Sequence, residues 1–290
     1  MVMEVLVGLN CRPGRLYVDG TIGEGGHAEA ILDRTAQDGE LWGLDRDPVV
    51  LQAAARRLAP YTSRFRLFHT SYVRLGELLK EAGVPSVAGI LLDLGVSLFT
   101  LRGSGRGFSF LAEEPLDMRF DPEEAGPTAA QLLNTAPQAA LEKIFRKYGE
   151  EPRAGRLARL VVKARRKSPF RTTGQLAAVV QQTLGPGGRI RGRIHPATRA
   201  FQALRIAVNQ ELDHLDAFLG QAPAWLEPDG RLVVISYHSL EDRLVKQHFL
   251  AGERAGILRR LTRKPIRPTP EEVHRNPRAR SAKLRVAEKP

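Results

Sequence analysis

The chain has 290 residues, more than the roughly 150 of a typical single domain, and 42% of them are hydrophobic, so two domains or one decorated domain built around a real core are expected and a disordered or fibrous chain is excluded. One cysteine, Cys11, excludes a disulfide framework and a multi-thiolate zinc site. The lack of a long apolar run, and of a leader-like start before Arg12 and Pro13, reads as a soluble, unexported, cytoplasmic protein with no membrane partner. Lys and Arg number 44 against 32 Asp and Glu, a net charge of +12 that points to nucleic acid.

Short β-rich apolar runs alternate with helical patterns over the first hundred residues, as in βαβ units around a parallel sheet. Residues 16 to 19 form a strand, followed by a Gly-rich turn over 20 to 26 and a helix from about His27 that turns Ala28, Ile31 and Leu32 inward. A second strand over 40 to 44 ends in Asp45, and Pro48 opens the helix over 49 to 58. A third strand occupies 64 to 68 and a helix 71 to 82. The wholly apolar run from Val87 closes on Asp93, Leu94 and Gly95, as the buried centre of a parallel sheet would.

The pattern then breaks. Residues 103 to 125 are rich in Gly, Phe and acids, and 128 to 215 carry only helical periodicity, interrupted by Gly and Pro at 185 to 188. The strand pattern resumes at 231 to 236 and a helix follows from about Leu240. From Lys264 onward, prolines interleave with arginines, which predicts an extended, partly mobile tail. The expected architecture is therefore a discontinuous α/β domain with a mainly parallel sheet, residues 1–104 and 208–290, interrupted by a helical insertion at 105–207.

Charge follows the same division. Residues 126 to 210 hold 16 basic and 3 acidic side chains, and 253 to 290 hold 12 and 4, whereas 1 to 125 hold 13 and 18. Two positive blocks of this size suit a phosphate backbone, and 35 of the 44 basic residues are arginines, which bind phosphate with two parallel hydrogen bonds.

The turn Asp19-Gly20-Thr21-Ile22-Gly23-Glu24-Gly25-Gly26-His27 lies between the first strand and first helix, where glycines let a ligand approach the backbone. Its spacing departs from G-x-G-x-x-G, which disfavours a dinucleotide pyrophosphate. Asp45, at the end of the second strand, stands where a carboxylate accepts both hydroxyls of an adenosine ribose. That position reports a nucleoside without saying which one.

These residues, with Leu44-Asp-Arg-Asp-Pro48, Asp93-Leu-Gly-Val-Ser97, Arg106-Gly-Phe-Ser-Phe110, Pro115-Leu-Asp-Met-Arg119, His195-Pro-Ala-Thr-Arg199, Arg205-Ile-Ala-Val-Asn209 and Ser236-Tyr-His-Ser-Leu-Glu-Asp-Arg243, follow one another in the order of a known family. The chain resembles the RsmH (MraW) family of S-adenosylmethionine-dependent methyltransferases, class I Rossmann-like enzymes that methylate N4 of a cytidine in 16S ribosomal RNA near the decoding centre. The resemblance implies S-adenosylmethionine as cofactor, held by Asp19, Gly23, Gly25, Gly26, His27, Asp45, Tyr72 and Asp93. It also implies 16S rRNA, within the small ribosomal subunit, as the partner of a monomer or homodimer. Two positions depart from the family pattern: Tyr72 where Phe is usual, and Leu98-Phe99-Thr100-Leu101-Arg102 where Ser-Pro-Gln-Leu-Asp is favoured, so that Thr100 stands in for the expected Gln contact.

Methyl transfer is an in-line displacement, so the enzyme chiefly aligns the amine with the methyl carbon. Cytosine N4 is a weak nucleophile, and acceptors for its N–H groups help it to react. Asp93 and Ser97 are assigned that part, with His238 and Ser239, after the next strand, facing the same crevice and Glu241 and Asp242 beside them. Methylation at C5 would need a thiolate, and Cys11 lies outside every motif. His195, Arg199, Arg259, Arg260 and Arg263 are the candidate RNA contacts. Phe108 and Phe110 either stack on a flipped base or pack a domain junction, and Asp117 with Arg119 is expected to be an ion pair joining the catalytic lobe to the insertion. Two rivals remain at the level of sequence: a nicotinamide-dependent oxidoreductase and a non-catalytic RNA-binding assembly factor.

Overall fold

Alternation along the strands divides the core between two faces of one sheet. The computed structural model describes residues 1–102, 104–183 and 196–290, and in chain order it begins α1 (Val2–Leu9), β1 (Leu16–Asp19), α2 (Gly26–Arg34), β2 (Glu40–Asp45), α3 (Pro48–Leu58), β3 (Phe65–His69), α4 (Leu75–Glu81) and β4 (Val87–Asp93). The helices α5 (Leu98–Arg102), α6 (Ala129–Thr135), α7 (Gln138–Gly149), α8 (Ala154–Arg165), α9 (Thr173–Gln182) and α10 (Pro196–Asn209) follow. The chain returns through α11 (Glu211–Trp225), β5 (Leu226–Ser236), α12 (Ser239–Arg254), β6 (Arg259–Arg260), α13 (Pro270–Arg275) and β7 (Lys283–Glu288). Two compact units result, one of Met1–Ser97 with Leu212–Pro290 and one of Leu98–Glu211.

In the first unit, seven strands of the described residues pair in the order β3-β2-β1-β4-β5-β7-β6. The first five run parallel, and β7 lies antiparallel between β5 and β6. Tyr17, Leu41, Leu91, Val233 and Val286 point to one face and are covered by Val5 and Leu9 of α1, Ile31 and Leu32 of α2 and Leu58 of α3. Their neighbours Val18, Trp42, Ile90, Leu92, Leu232 and Val234 point to the other face, beneath Leu79 of α4, Phe218 of α11 and Phe249 of α12. This is the period-two rule of a strand buried on both faces. The strand order reverses between β1 and β4, which opens a crevice at their carboxyl ends.

Local chemistry sets the boundaries. The Asp47 carboxylate accepts the Val49 N–H at 3.1 Å and Pro48 begins α3, an N-cap with the preferred first residue. Over 71–82 the expected single helix is instead a 3-10 turn, Tyr72–Arg74, running into α4. Helix α1 was not predicted. Among the described residues no helix is long and apolar enough to cross a membrane.

The second unit is helical, with a loop entering it from residue 104. Buried Asn209 holds that loop by accepting the Phe120 N–H at 2.8 Å and donating to the Met118 carbonyl at 2.7 Å. Such buried bonds contribute about 1 kcal/mol each, and more is lost when one partner is left unpaired. Arg119 grips Asp117 through two hydrogen bonds of 2.7 and 2.8 Å. Both residues belong to the second unit, so the pair staples one loop rather than joining a catalytic lobe to an insertion. Phe108 stacks on Phe120, with ring centroids 5.7 Å apart, and Phe110 meets Phe201 edge-on at 5.3 Å, so both aromatics are used in packing.

The C-terminal segment corrects the expectation of an extended, mobile tail. Its last part is β7, whose Leu284, Val286 and Ala287 are buried and whose Lys283 and Arg285 grip Asp242 at 2.9 and 2.7 Å. Prolines and arginines hid a six-residue strand in which even the charged side chains find partners. Deleting residues 283–290 is therefore expected to abolish the cooperative unfolding transition of the first unit, seen by calorimetry; a loosely attached tail would leave the melting temperature unchanged.

Candidate active site

Four groups meet at the carboxyl edge where the strand order reverses. The turn after β1 is anchored to both neighbouring strands: Gly20 N–H donates to the Leu91 carbonyl at 2.9 Å and Ile22 N–H to that of Leu44 at 3.0 Å. Thr21 Oγ1 accepts the Asp93 N–H at 2.6 Å, which ties the end of β4 to the turn. Gly23 (φ 52) and Gly25 (φ 82) take left-handed conformations that side chains resist, and a Cβ on Gly25 would touch the backbone of Ala54 at 3.4 Å.

Asp19 closes β1 and is 1% exposed. Burial pushes its carboxyl up to about 7, although the charge of His27 and the Thr21 N–H pull the other way. Asp45 closes β2 and accepts Gly23 N–H at 2.9 Å on one oxygen and Asp47 N–H at 3.0 Å on the other. Burial raises it to about 6 despite those two bonds.

His27 lies in the first turn of α2 with Nε2 3.3 Å from Asp93 Oδ2. Burial opposes a charge on this imidazole, yet the hydrogen bond and charge of Asp93, with the charge of Asp19, outweigh it and hold His27 above its ordinary value. Its Nδ1 is buried without a hydrogen-bond partner. An orphaned ring nitrogen beside two carboxylates suits a ligand with its own polar head, and that fits the amino-acid end of S-adenosylmethionine.

Tyr72 follows β3 and lies against the glycine turn, since a Cβ on Gly20 would come within 3.1 Å of it; its ring meets Phe218 edge-on at 5.1 Å. Ser97 is half-buried four residues beyond Asp93. Thr100 is buried in the second unit, where its carbonyl accepts Ser104 Oγ at 2.6 Å. His238 caps α12: its Nδ1 faces the Glu241 N–H at 3.4 Å, and the buried Glu241 carboxylate accepts the N–H groups of Tyr237 and His238 at 2.9 and 3.2 Å. Ser239 is exposed at the start of that helix. Asp242 is pulled below the usual carboxylate range: burial opposes this, and hydrogen bonds from Arg285 and Lys283 prevail.

Tyr237 escaped the sequence reading. Its hydroxyl donates to Asp93 Oδ1 at 2.9 Å, so the Asp93 carboxylate lies between a phenol and an imidazole. The signal was available in the run Ser236-Tyr-His-Ser, where the tyrosine immediately follows β5 and so reaches the same edge.

Of the basic candidates, Arg199 is exposed on α10 and Arg263 is exposed beyond β6, while His195 lies outside the described residues. Arg259 is ion-paired with Glu288 and Arg260 with Glu253. A second set was not singled out from sequence. Arg156, Arg159, Lys163, Arg166 and Lys167, on and just beyond α8, are all exposed. Their three- and four-residue spacing brings them to one side of the helix, whereas Arg165 turns inward to the carbonyls of Leu133 and Ala136 at 2.8 and 2.7 Å.

A nicotinamide Rossmann domain of strand order 3-2-1-4-5-6 has no reversed strand inserted before its last one. The reversed β7, together with a turn lacking the pyrophosphate spacing, defines instead a Rossmann-like α/β methyltransferase. The family model described as "MraW methylase family" matches residues 1–290. The chain belongs to the MraW methylase family. Among similar proteins, "Ribosomal RNA small subunit methyltransferase H" of Syntrophus aciditrophicus is 47% identical, with 100% of this chain and 96% of that protein covered. The protein of that name from Solidesulfovibrio magneticus is 48% identical with 100% and 94% covered, and that from Dehalococcoides mccartyi 46% with 100% and 85%.

The raised carboxyl of Asp19 has a testable sign. An acid whose folded pKa exceeds its unfolded value adds stability that is complete below the unfolded value and is lost as pH rises through about 7. The melting temperature of the wild-type protein is expected to fall relative to that of Asp19→Asn between pH 5 and 7 and to run parallel above pH 8; parallel curves throughout would show that Asp19 is not a proton-holding group.

Proposed function

We propose that this protein is a small-subunit ribosomal RNA methyltransferase that transfers a methyl group from S-adenosylmethionine to N4 of a cytidine in 16S rRNA near the decoding centre. The carrying observation is the Asp93 carboxylate, held at the reversal point of the sheet between His27 and Tyr237. Membership of the MraW methylase family and the relatives' names support the reaction class and the RNA.

S-adenosylmethionine supplies an electrophilic methyl group on a sulfonium. Asp45 is assigned to its ribose hydroxyls, Tyr72 to the adenine side, and Asp19, His27 and the turn at Gly23, Gly25 and Gly26 to its amino-acid end. Asp93 and Ser97 accept the N–H bonds of the target amine, which turns the nitrogen lone pair toward the methyl carbon and offers a route for the departing proton. His238 and Ser239 contribute to the base side of the crevice. The thiolate route to C5 is disfavoured because burial pushes the Cys11 thiol up to about 12, despite the opposing charge of Arg34.

RNA contacts are assigned to the α8 ridge, with Arg199, Arg263 and His195. Arg259 and Arg260 already spend part of their charge on Glu288 and Glu253, so their share in that contact is the smaller one. Replacing Arg156, Arg159, Lys163 and Arg166 with Gln is expected to weaken rRNA binding at 0.1 M salt and to reduce the slope of log K against log salt by about 3 to 4, with cofactor affinity unchanged. An unaltered slope would remove α8 from the interface.

The activity is tested by labelled methyl transfer to small-subunit rRNA and mass spectrometry of its nucleosides. N4-methylcytidine is expected with the wild-type protein and loss of at least about a hundredfold in rate with Asp93→Ala in a protein that still unfolds cooperatively. S-adenosylhomocysteine, and not NAD, is expected to raise the melting temperature. Stabilisation by NAD alone would favour the oxidoreductase reading, and RNA binding without transfer the assembly-factor reading.

A further inference from the structure

Tyr237 stands in an unusually determined position for a residue that touches only another side chain of the site. It is the first residue after β5, and β5 pairs with β4 so that Ile235 lies opposite Asp93. Its N–H is fixed by the Glu241 carboxylate, which belongs to the capping box of α12, so the backbone that carries the ring is pinned by a helix start. On the other side the chain turns at Gly95 with φ 113, and a Cβ there would lie 3.4 Å from the tyrosine ring. The ring therefore packs against a glycine that leaves it room, and the hydroxyl ends 2.9 Å from Asp93 Oδ1.

We infer that Tyr237 is a positioning residue for the methyl-transfer reaction, holding the Asp93 carboxylate in one rotamer so that its remaining lone pairs face the target amine. This rests on the methyltransferase reading above. Asp93 is tied at three points: its N–H to Thr21 Oγ1, Oδ2 to His27 Nε2 and Oδ1 to the phenol. The first two lie on the β1 side and the phenol alone comes from the β5 side, so without it the carboxylate is free to swing toward the turn. Burial, with the charge and hydrogen bond of Asp93, pushes the phenol well above its ordinary value. It therefore remains protonated and keeps its O–H as a donor to the carboxylate.

Tyr237→Phe removes the donor and keeps the ring. In single-turnover assays with small-subunit rRNA, which remain measurable for slow variants, the rate is expected to fall about ten- to hundredfold, the size of a hydrogen bond to a charged group expressed in the transition state. The KM for rRNA, the Kd for S-adenosylhomocysteine and the melting temperature are expected to stay near their wild-type values, a split that a packing defect would not give. In an Asp93→Ala background the same substitution is expected to change the residual rate less than about twofold, because the acceptor it orients has been removed. An unchanged rate in Tyr237→Phe, a fall matched by loss of melting temperature, or an equal penalty with and without Asp93 would each overturn the assignment. A wild-type protein that methylates no rRNA would instead overturn the underlying reading, and the two failures are thereby distinguished.

Discussion

The structure turns on carboxylates taken out of water at one edge of a parallel sheet. Asp19 ends its strand buried and Asp45 half-buried, where an ionised acid is costly unless donors surround it. The turn after β1 supplies such donors from its backbone, and so it threads between strands instead of looping into solvent. Asp93 is served differently, by two side chains from opposite sides and by Thr21 beneath it. The glycines of the turn follow from this crowding: where polar groups converge on so small a space, the backbone that carries them must curve through left-handed conformations.

Much of the first unit was legible because its signals are local. A wholly apolar β4, an Asp at the end of β1, β2 and β4 and a proline at the start of α3 mark a buried parallel sheet, and the boundaries of β1 to β4 and of α3 are met to within a residue or two. The Gly-rich turn and the carboxylates Asp19, Asp45 and Asp93 were likewise visible, because strand ends in such a sheet must lie together. What stayed hidden was relational. Tyr237 acquires its meaning from a pairing between β5 and β4 that periodicity does not reveal. In β7, the prolines and arginines before the strand masked apolar alternation, and its charged residues are neutralised by Asp242 and Arg231 from distant parts of the chain.

Charge was the most ambiguous signal. Counting located two basic blocks, but the count could not separate arginines that hold the fold from those that face water. Arg165 and Arg285 serve carbonyls and an aspartate, Arg259 and Arg260 serve glutamates, and Arg159 and Arg166 lie on the outside of a helix. The difference arises from helical phase and strand pairing. Basic residues three or four apart share a side, and one residue out of step turns inward.

The placement of β7 bears on how the protein is made. A strand near the end of the sequence sits between β5 and β6, so β6 has no hydrogen-bonded neighbour until residues 283–288 have left the ribosome. The intervening helical segment emerges well before that point. During synthesis the nascent sheet thus presents an open edge on β5, a surface prone to pairing with other chains, until β7 adds to it.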